Sequence, residues 1–301
     1  MKNIKKIDIH AHATAFPEYV PERKWNGGRF CSGEEVIEFY DKLNIEKGVL
    51  LPIQSPECQL TVMSSENCKW IADQHPDRFM WFCNVDPRAF ENSADADLSW
   101  VLNQYIKLGA KGVGEITSQV YADDPKLDNL FSCCEELDLP VLIHIGPQFG
   151  NCYGIVDELG LYRLEKMLKK HPKLKLLGHS QPFWSEISAD NNEELRNEYP
   201  TGKVIEGRIP KLMREYGNLY CDLSAGSGAN AMMRDPEYAA KFMEEFSDRL
   251  LYGCDICAPS NTHPFPFDEF LDKMVDDGML SIENYTKIVR DNALKILKED
   301  K

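Results

Sequence analysis

The run Ile7-Asp8-Ile9-His10-Ala11-His12 sets two imidazoles two residues apart in a stretch that alternates as a β-strand does. Strand residues two apart point to one face, roughly 6 to 7 Å apart. Ile7 and Ile9 then share one face, and Asp8, His10 and His12 the other. The two histidines emerge side by side where the strand meets its loop. Neutral imidazole nitrogens are ligands for zinc and neighbouring transition metals; the competing interpretation is a pair of partly exposed loop histidines. His144 closes Val141-Leu142-Ile143, and His179 closes Leu176-Leu177-Gly178. Two carboxylates stand at the same kind of position, Glu115 after Gly112-Val113-Gly114 and Asp255 after Tyr252-Gly253-Cys254. Six ligand-type side chains at the ends of apolar runs point to a divalent-metal centre. A bound ion there would lower the pKa of a water to about 7 and polarise a carbonyl.

Such a centre needs elements whose ends converge. Eight apolar, β-branched-rich runs recur: Ile4–His10, Lys47–Ile53, Phe79–Val85, Ala110–Ile116, Pro140–Ile145, Leu174–His179, Asn218–Leu223 and Arg249–Cys254. Helical patterns fill the gaps: Glu34–Leu43, Ser64–His75, Asp95–Leu108 ending at Gly109, Leu127–Leu137, Leu161–His171, Ile209–Tyr216, Pro236–Phe246, Pro266–Val275 and about Glu283–Leu297. This alternation predicts an α/β chain folded as a (β/α)8 TIM barrel, one domain over 1–301, with the strand C-terminal ends at one face. Two connections are long. The polar, acidic stretch 181–207 reads as an insertion that forms a partial lid or a solvated excursion. Thr14–Arg29 carries Arg23, Trp25 and Arg29 as candidate substrate contacts.

The order of these marks resembles the amidohydrolase superfamily of metal-dependent barrels, in the branch that includes aminocarboxymuconate-semialdehyde decarboxylase. The marks are His10-Ala11-His12, His144, His179 and Asp255, with His75-Pro76-Asp77-Arg78-Phe79 and Asp291-Asn292-Ala293 as lesser ones. The resemblance covers nearly the whole chain and implies that His10, His12 and His144 bind metal. It implies that Asp255 binds metal and accepts a proton, and that His179 ligates a second metal or acts as an electrophile and proton donor. Two-metal members often place a carboxylated lysine on strand four. Here Lys111 is four residues upstream, roughly 13 Å deeper along the strand, so Glu115 is the candidate ligand, bridging if there are two ions, as similar Gly-Glu strand ends in the TatD-like nucleases suggest. One or two divalent ions are expected, zinc first on ligand type, with manganese or iron as alternatives. The expected reaction is hydrolysis of a small-molecule amide, ester or lactone; the alternative is non-oxidative decarboxylation of a carboxylated aromatic or muconate-like acid.

The bulk properties narrow the partners. The chain has 301 residues, is 43% hydrophobic and 28% charged, and carries a formal charge of -15. That charge disfavours nucleic acid and anionic membrane, and with them a nuclease. No apolar run approaches the roughly 20 residues that span a bilayer. No secretory signal is apparent at the N-terminus. The 10 cysteines are scattered through apolar patterns, which reads as reduced thiols and a cytoplasmic setting. Barrels of this kind often pair, which makes a homodimer the assembly to test. Other marks read as structural: His75 and His171 at helix ends before proline, Cys254-Asp255-Ile256-Cys257 as an accidental spacing, and Ser224-Ala225-Gly226-Ser227-Gly228 as a tight loop. His263, Phe183 and Trp184 are candidate pocket walls.

Overall fold

The computed structural model describes residues 4–22, 28–57 and 63–299. Its strands are β1 (Lys6–Ala11), β2 (Ile45–Leu50), β3 (Phe79–Trp81), β4 (Val113–Ile116), β5 (Val141–Gly146), β6 (Ile155–Val156), β7 (Leu176–His179), β8 (Leu219–Asp222) and β9 (Leu250–Leu251). They pair in parallel as β1-β2-β3 and as β4-β5-β7-β8-β9, with the short β6 beside β5. Single bridges span both remaining seams. Cys83 pairs with Val113, and Ala11 with Ile256. Gly114 N donates to the Cys83 carbonyl at 2.9 Å, Asp255 N to His10 at 2.7 Å, and His12 N to Ile256 at 2.8 Å. The eight expected strands therefore run round one cylinder in chain order, the β/α barrel that the alternation of runs predicts.

Two apolar layers hold it. Inside the cylinder Ile7, Ile9, Val49, Leu51, Met80, Phe82, Leu142, Leu177 and Leu251 pack together, floored by Ala293, Leu294, Ile296 and Leu297 of the last helix. A larger cluster fills the space between the strands and the outer helices. The floor is apolar, and the polar groups gather at the other end. Helix starts follow their caps: Ser32 and Glu35 form a reciprocal capping box ahead of Gly33–Leu43, and Ser64 caps Ser65–Gln74. Gly109 ends Leu98–Lys107 with φ +102°, the left-handed conformation glycine adopts without strain.

Three expectations are corrected. Ser224–Gly228 is not a tight loop but the start of a helix, Ala225–Met233. Glycine disfavours helix locally, yet Gly228 lets this turn approach the backbone of β8: a methyl there would lie 2.3 Å from the Leu223 carbonyl. The stretch 181–207 does not begin as a polar excursion. It opens with a helix, Gln181–Ser185, whose Phe183 and Trp184 are buried. Phe183 lies where a methyl on Gly178 would meet its ring at 2.2 Å. Finally, β1 does not alternate simply. Asp8 pairs with Gly48 but Ala11 with Leu50, three steps against two, a local irregularity that changes which faces successive side chains take. Asp8 consequently meets the helix layer, accepting from Tyr40 Oη at 2.9 Å, while His10 and His12 turn to the barrel mouth. Arg23 and Trp25 lie outside the described residues. Arg29 is tied to Glu35 by two hydrogen bonds of 2.7 and 2.5 Å. Among the described residues Cys68, Cys83, Cys133, Cys134, Cys152, Cys221 and Cys254 are free thiols, and no helix is long and apolar enough to cross a membrane.

Candidate metal centre

His12 Nδ1 lies 2.9 Å from the Leu51 carbonyl. A carbonyl only accepts, so Nδ1 carries the hydrogen and Nε2 presents a lone pair. His10 Nδ1 lies 2.7 Å from Asp222 Oδ2, which assigns its Nε2 in the same way. The two Nε2 atoms are 3.0 Å apart. Facing lone pairs at that distance require a cation between them, a proton or a metal ion. The surroundings favour positive charge. Burial opposes a charge on His10, but Asp255 and Asp222 outweigh it and raise its proton affinity well above the ordinary range.

The other four ligand-type side chains meet at the same place. His12 Nε2 is 3.3 Å from Glu115 Oε2 and 3.5 Å from Asp255 Oδ1; His10 Nε2 is 3.7 Å and 3.5 Å from the same two atoms. Two donors bound to one ion at about 2.1 Å lie about 3.0 Å apart at a right angle and about 3.4 Å apart at a tetrahedral angle. The observed separations fit this set of donors to one ion. The second oxygen of Glu115 is turned to a second imidazole pair, and that of Asp255 to one member of it. Glu115 Oε1 is 2.7 Å from His144 Nδ1 and 3.9 Å from His179 Nε2, and Asp255 Oδ2 is 4.0 Å from His179 Nε2. Burial would raise the pKa of Glu115, but hydrogen bonds with His10, His12 and His144 hold it well below the usual carboxylate range. The donor set thus suits a divalent cation, with Glu115 divided between two pairs of histidines and Asp255 between the first pair and His179.

All six residues singled out in the sequence converge here. Asp222 was not among them, although it ends β8 at the same level as the others. It is fully buried and accepts from Ser224 N and Oγ. The indole Nε1 of Trp184 donates to its carbonyl at 2.9 Å, so Trp184 braces a strand end. Asn84 also escaped notice. Its amide donates to the carbonyls of Glu115 and Pro52 at 2.5 and 3.2 Å, fixing the end of β4. Asp8 secures the seam beneath, accepting from His10 N and Cys254 N, each at 2.9 Å. Burial pushes its pKa up to about 7.

A cleft of about 610 Å³ opens over His144, lined in part by Gln119, Asn151, Tyr153, Gln181 and Asn197. The last two come from the 181–207 insertion, which forms one wall. His263 stands apart from it, its Nε2 2.6 Å from the Cys254 carbonyl. His171 Nε2 pairs with Asp128 at 2.9 Å and His75 Nε2 with Glu34 at 3.4 Å, structural contacts as expected at helix ends. Burial pushes the Cys254 thiol well above its ordinary pKa, consistent with an inert Cys254-x-x-Cys257 spacing. At the cleft rim Glu57 is held by Arg88 at 2.5 and 2.9 Å, and Arg88 also grips Asp86 at 2.8 and 2.7 Å. Burial raises the pKa of both acids, yet Arg88 outweighs it and both end lower than usual. Such pairing stabilises the fold above the ordinary carboxylate range and is lost as pH falls through the depressed values. Arg88→Met should therefore cost about 2 kcal/mol at pH 7, between exposed and buried pairs, and less at pH 3, below the ordinary pKa of both acids. Urea unfolding at the two pH values measures this; an equal cost at both would contradict the assignment.

Comparison with known proteins places these observations in a family. Among solved structures, an uncharacterised TIM-barrel protein from Bordetella bronchiseptica superposes with TM-score 0.63 at 16% identity, covering 98% of this chain and 99% of that one. A probable 2-pyrone-4,6-dicarboxylic acid hydrolase from Acinetobacter baumannii gives 0.60 at 14%, covering 98% and 100%. A dihydroxybenzoic acid decarboxylase from Polaromonas, with bound manganese and the inhibitor 2-nitroresorcinol, gives 0.59 at 16%, covering 98% and 97%. At these identities the likeness establishes the fold. Among curated proteins no sequence matches significantly. The amidohydrolase family model matches residues 66–298, from the helix before β3 to the end of the last helix. A barrel with histidines and carboxylates gathered at its mouth, matched by that model over most of its length, is an enzyme fold of known lineage, and the chain belongs to the amidohydrolase family.

Proposed function

We propose that the protein is a metal-dependent hydrolase acting on a small-molecule amide, ester or lactone. The observation that carries this reading is the division of Glu115, one oxygen toward His10 and His12 and the other toward His144 and His179. That arrangement suits two ions with Glu115 and Asp255 between them: His10 and His12 would hold one, His144 and His179 the other. Zinc is the first choice for such nitrogen and carboxylate donors, with manganese or iron next. Ions held there supply a water ionised near neutral pH and polarise the carbonyl under attack. Asp255 is the proton acceptor. Its side chain is 24% exposed, against 11% for His144 and 5% or less for Glu115, His10, His12 and His179, so it is the most exposed of the six. It would take the proton from the attacking water and return it to the leaving group. If one ion suffices, His179 is free to polarise or protonate the scissile group instead.

The cleft lining weighs for hydrolysis of an uncharged compound over decarboxylation of an acid. Among the described lining residues the polar groups are mostly amides, and none is Lys or Arg. The nearby Arg88 is already shared between Glu57 and Asp86. The formal charge of -15 also disfavours anions. The acidic surface favours a small-molecule partner over nucleic acid, and the buried thiols of Cys68, Cys83, Cys134 and Cys221 fit a reducing, cytoplasmic setting. Protein purified without chelator should contain about two divalent ions per chain by elemental analysis. It should hydrolyse members of a panel of uncharged lactones, esters and N-acyl compounds. Carbon dioxide release from 2,6-dihydroxybenzoate without any hydrolysis, on protein holding one ion, would replace this reading with the lyase.

A further inference from the structure

One buried carboxylate at the barrel mouth is not part of the donor set. Asp222, at the end of β8, has no exposed surface. Its Oδ2 lies 2.7 Å from His10 Nδ1 and 3.1 Å from His179 Nδ1. The same oxygen accepts from Ser224 Oγ at 2.8 Å, and that hydroxyl sits 3.2 and 3.1 Å from the two ring nitrogens. Asp222 Oδ1 accepts from Ser224 N at 2.9 Å. Rings from β1 and β7 thus converge on one oxygen atom. His10 belongs to the histidine pair facing Glu115 Oε2, and His179 to the pair facing Oε1. A carboxylate accepting from Nδ1 keeps the lone pair on Nε2, fixes the ring plane and makes the ligand more basic. His12, by contrast, is oriented by a backbone carbonyl.

We infer that Asp222, braced by Ser224, is a positioning residue that orients one ligand of each histidine pair, so that the two ion positions gain or lose affinity together. The inference rests on the two-ion reading above. It is tested by titrating the metal-free full-length protein with Zn²⁺ against a competing chelator, in the wild type and in Asp222→Asn. Asparagine has the same shape and its oxygen can still accept from Ser224 N, but it supplies no negative charge to the rings. Both binding steps should weaken by about 10- to 100-fold, while the unfolding midpoint of the metal-free protein stays near that of the wild type. Ser224→Ala, which removes one hydrogen bond to the carboxylate, should weaken both steps by about threefold, and it decides the matter if Asp222→Asn fails to fold. Affinities within a factor of two of the wild type, or loss at one step only, would overturn the inference. If the wild type takes up a single ion, the two-ion reading falls and the joint effect with it. An unchanged affinity for that ion in Asp222→Asn would then remove the positioning role as well.

Discussion

Asp255→Asn should leave the protein folded and able to bind metal but lower kcat by about a thousandfold or more. Asp255 sits with φ +54°, a left-handed conformation that Asn tolerates as readily as Asp, so the backbone has no reason to move. Its amide oxygen can still face His10 and His12 as the carboxylate does, at 3.5 Å from each. What disappears is the capacity to take a proton, a contribution of about 10² to 10⁴ in rate, together with one negative charge between the two donor pairs. Steady-state kinetics with a hydrolysed substrate, alongside elemental analysis of the same sample, separates the two losses. A variant that keeps its ions and more than a tenth of wild-type kcat would remove Asp255 from the role of base. A variant that loses its ions would show that the residue matters first as a ligand.

The second large effect is on stability. Removing bound metal with a chelator should lower the unfolding midpoint by about 8 °C or more. Without a cation the mouth of the barrel holds two imidazole lone pairs 3.0 Å apart and the carboxylate of Glu115, all buried. Metal at a thousand times its dissociation constant stabilises the fold by about 4 kcal/mol. In a domain of this size each kcal/mol moves the midpoint by roughly 2 to 4 °C. Scanning calorimetry before and after chelation, with Zn²⁺ or Mn²⁺ added back, reads the shift and ranks the metals. The same midpoint in all samples would mean that these six side chains satisfy one another with protons alone, and the hydrolase reading would lose its foundation. The calorimetric shift and the loss of activity should also titrate together.

Much of the site was legible because each ligand closes an apolar run. His144 and His179 pair directly across β5 and β7, and both end runs whose period and composition mark them as strands. Parallel strands in a barrel put their C-terminal ends at one face, so marks scattered from His10 to Asp255 could be assigned to one centre. The weaker readings failed where local pattern met tertiary contact. Alternation put Asp8 with His10 and His12, but the register slip against β2 parts them. Glycines suggested a loop after β8, whereas close approach to the Leu223 backbone makes them part of a helix. A run of polar residues suggested a partial lid or a solvated excursion; its Gln181 and Asn197 do wall the cleft, but its first turn buries Phe183 against Gly178.

The amino-acid order by itself determined the architecture and the chemical inventory: eight strands, an acidic exterior, four imidazoles and two carboxylates at strand ends. Periodicity and residue type are local properties, and these features are local. Only the tertiary structure decided how the inventory is shared out. Which Glu115 oxygen faces which histidines, that Asp222 serves two rings at once, and that Arg88 is consumed by two acids at the cleft rim are relations between residues far apart in the chain. They follow from barrel closure and side-chain direction, quantities that no stretch of sequence carries alone.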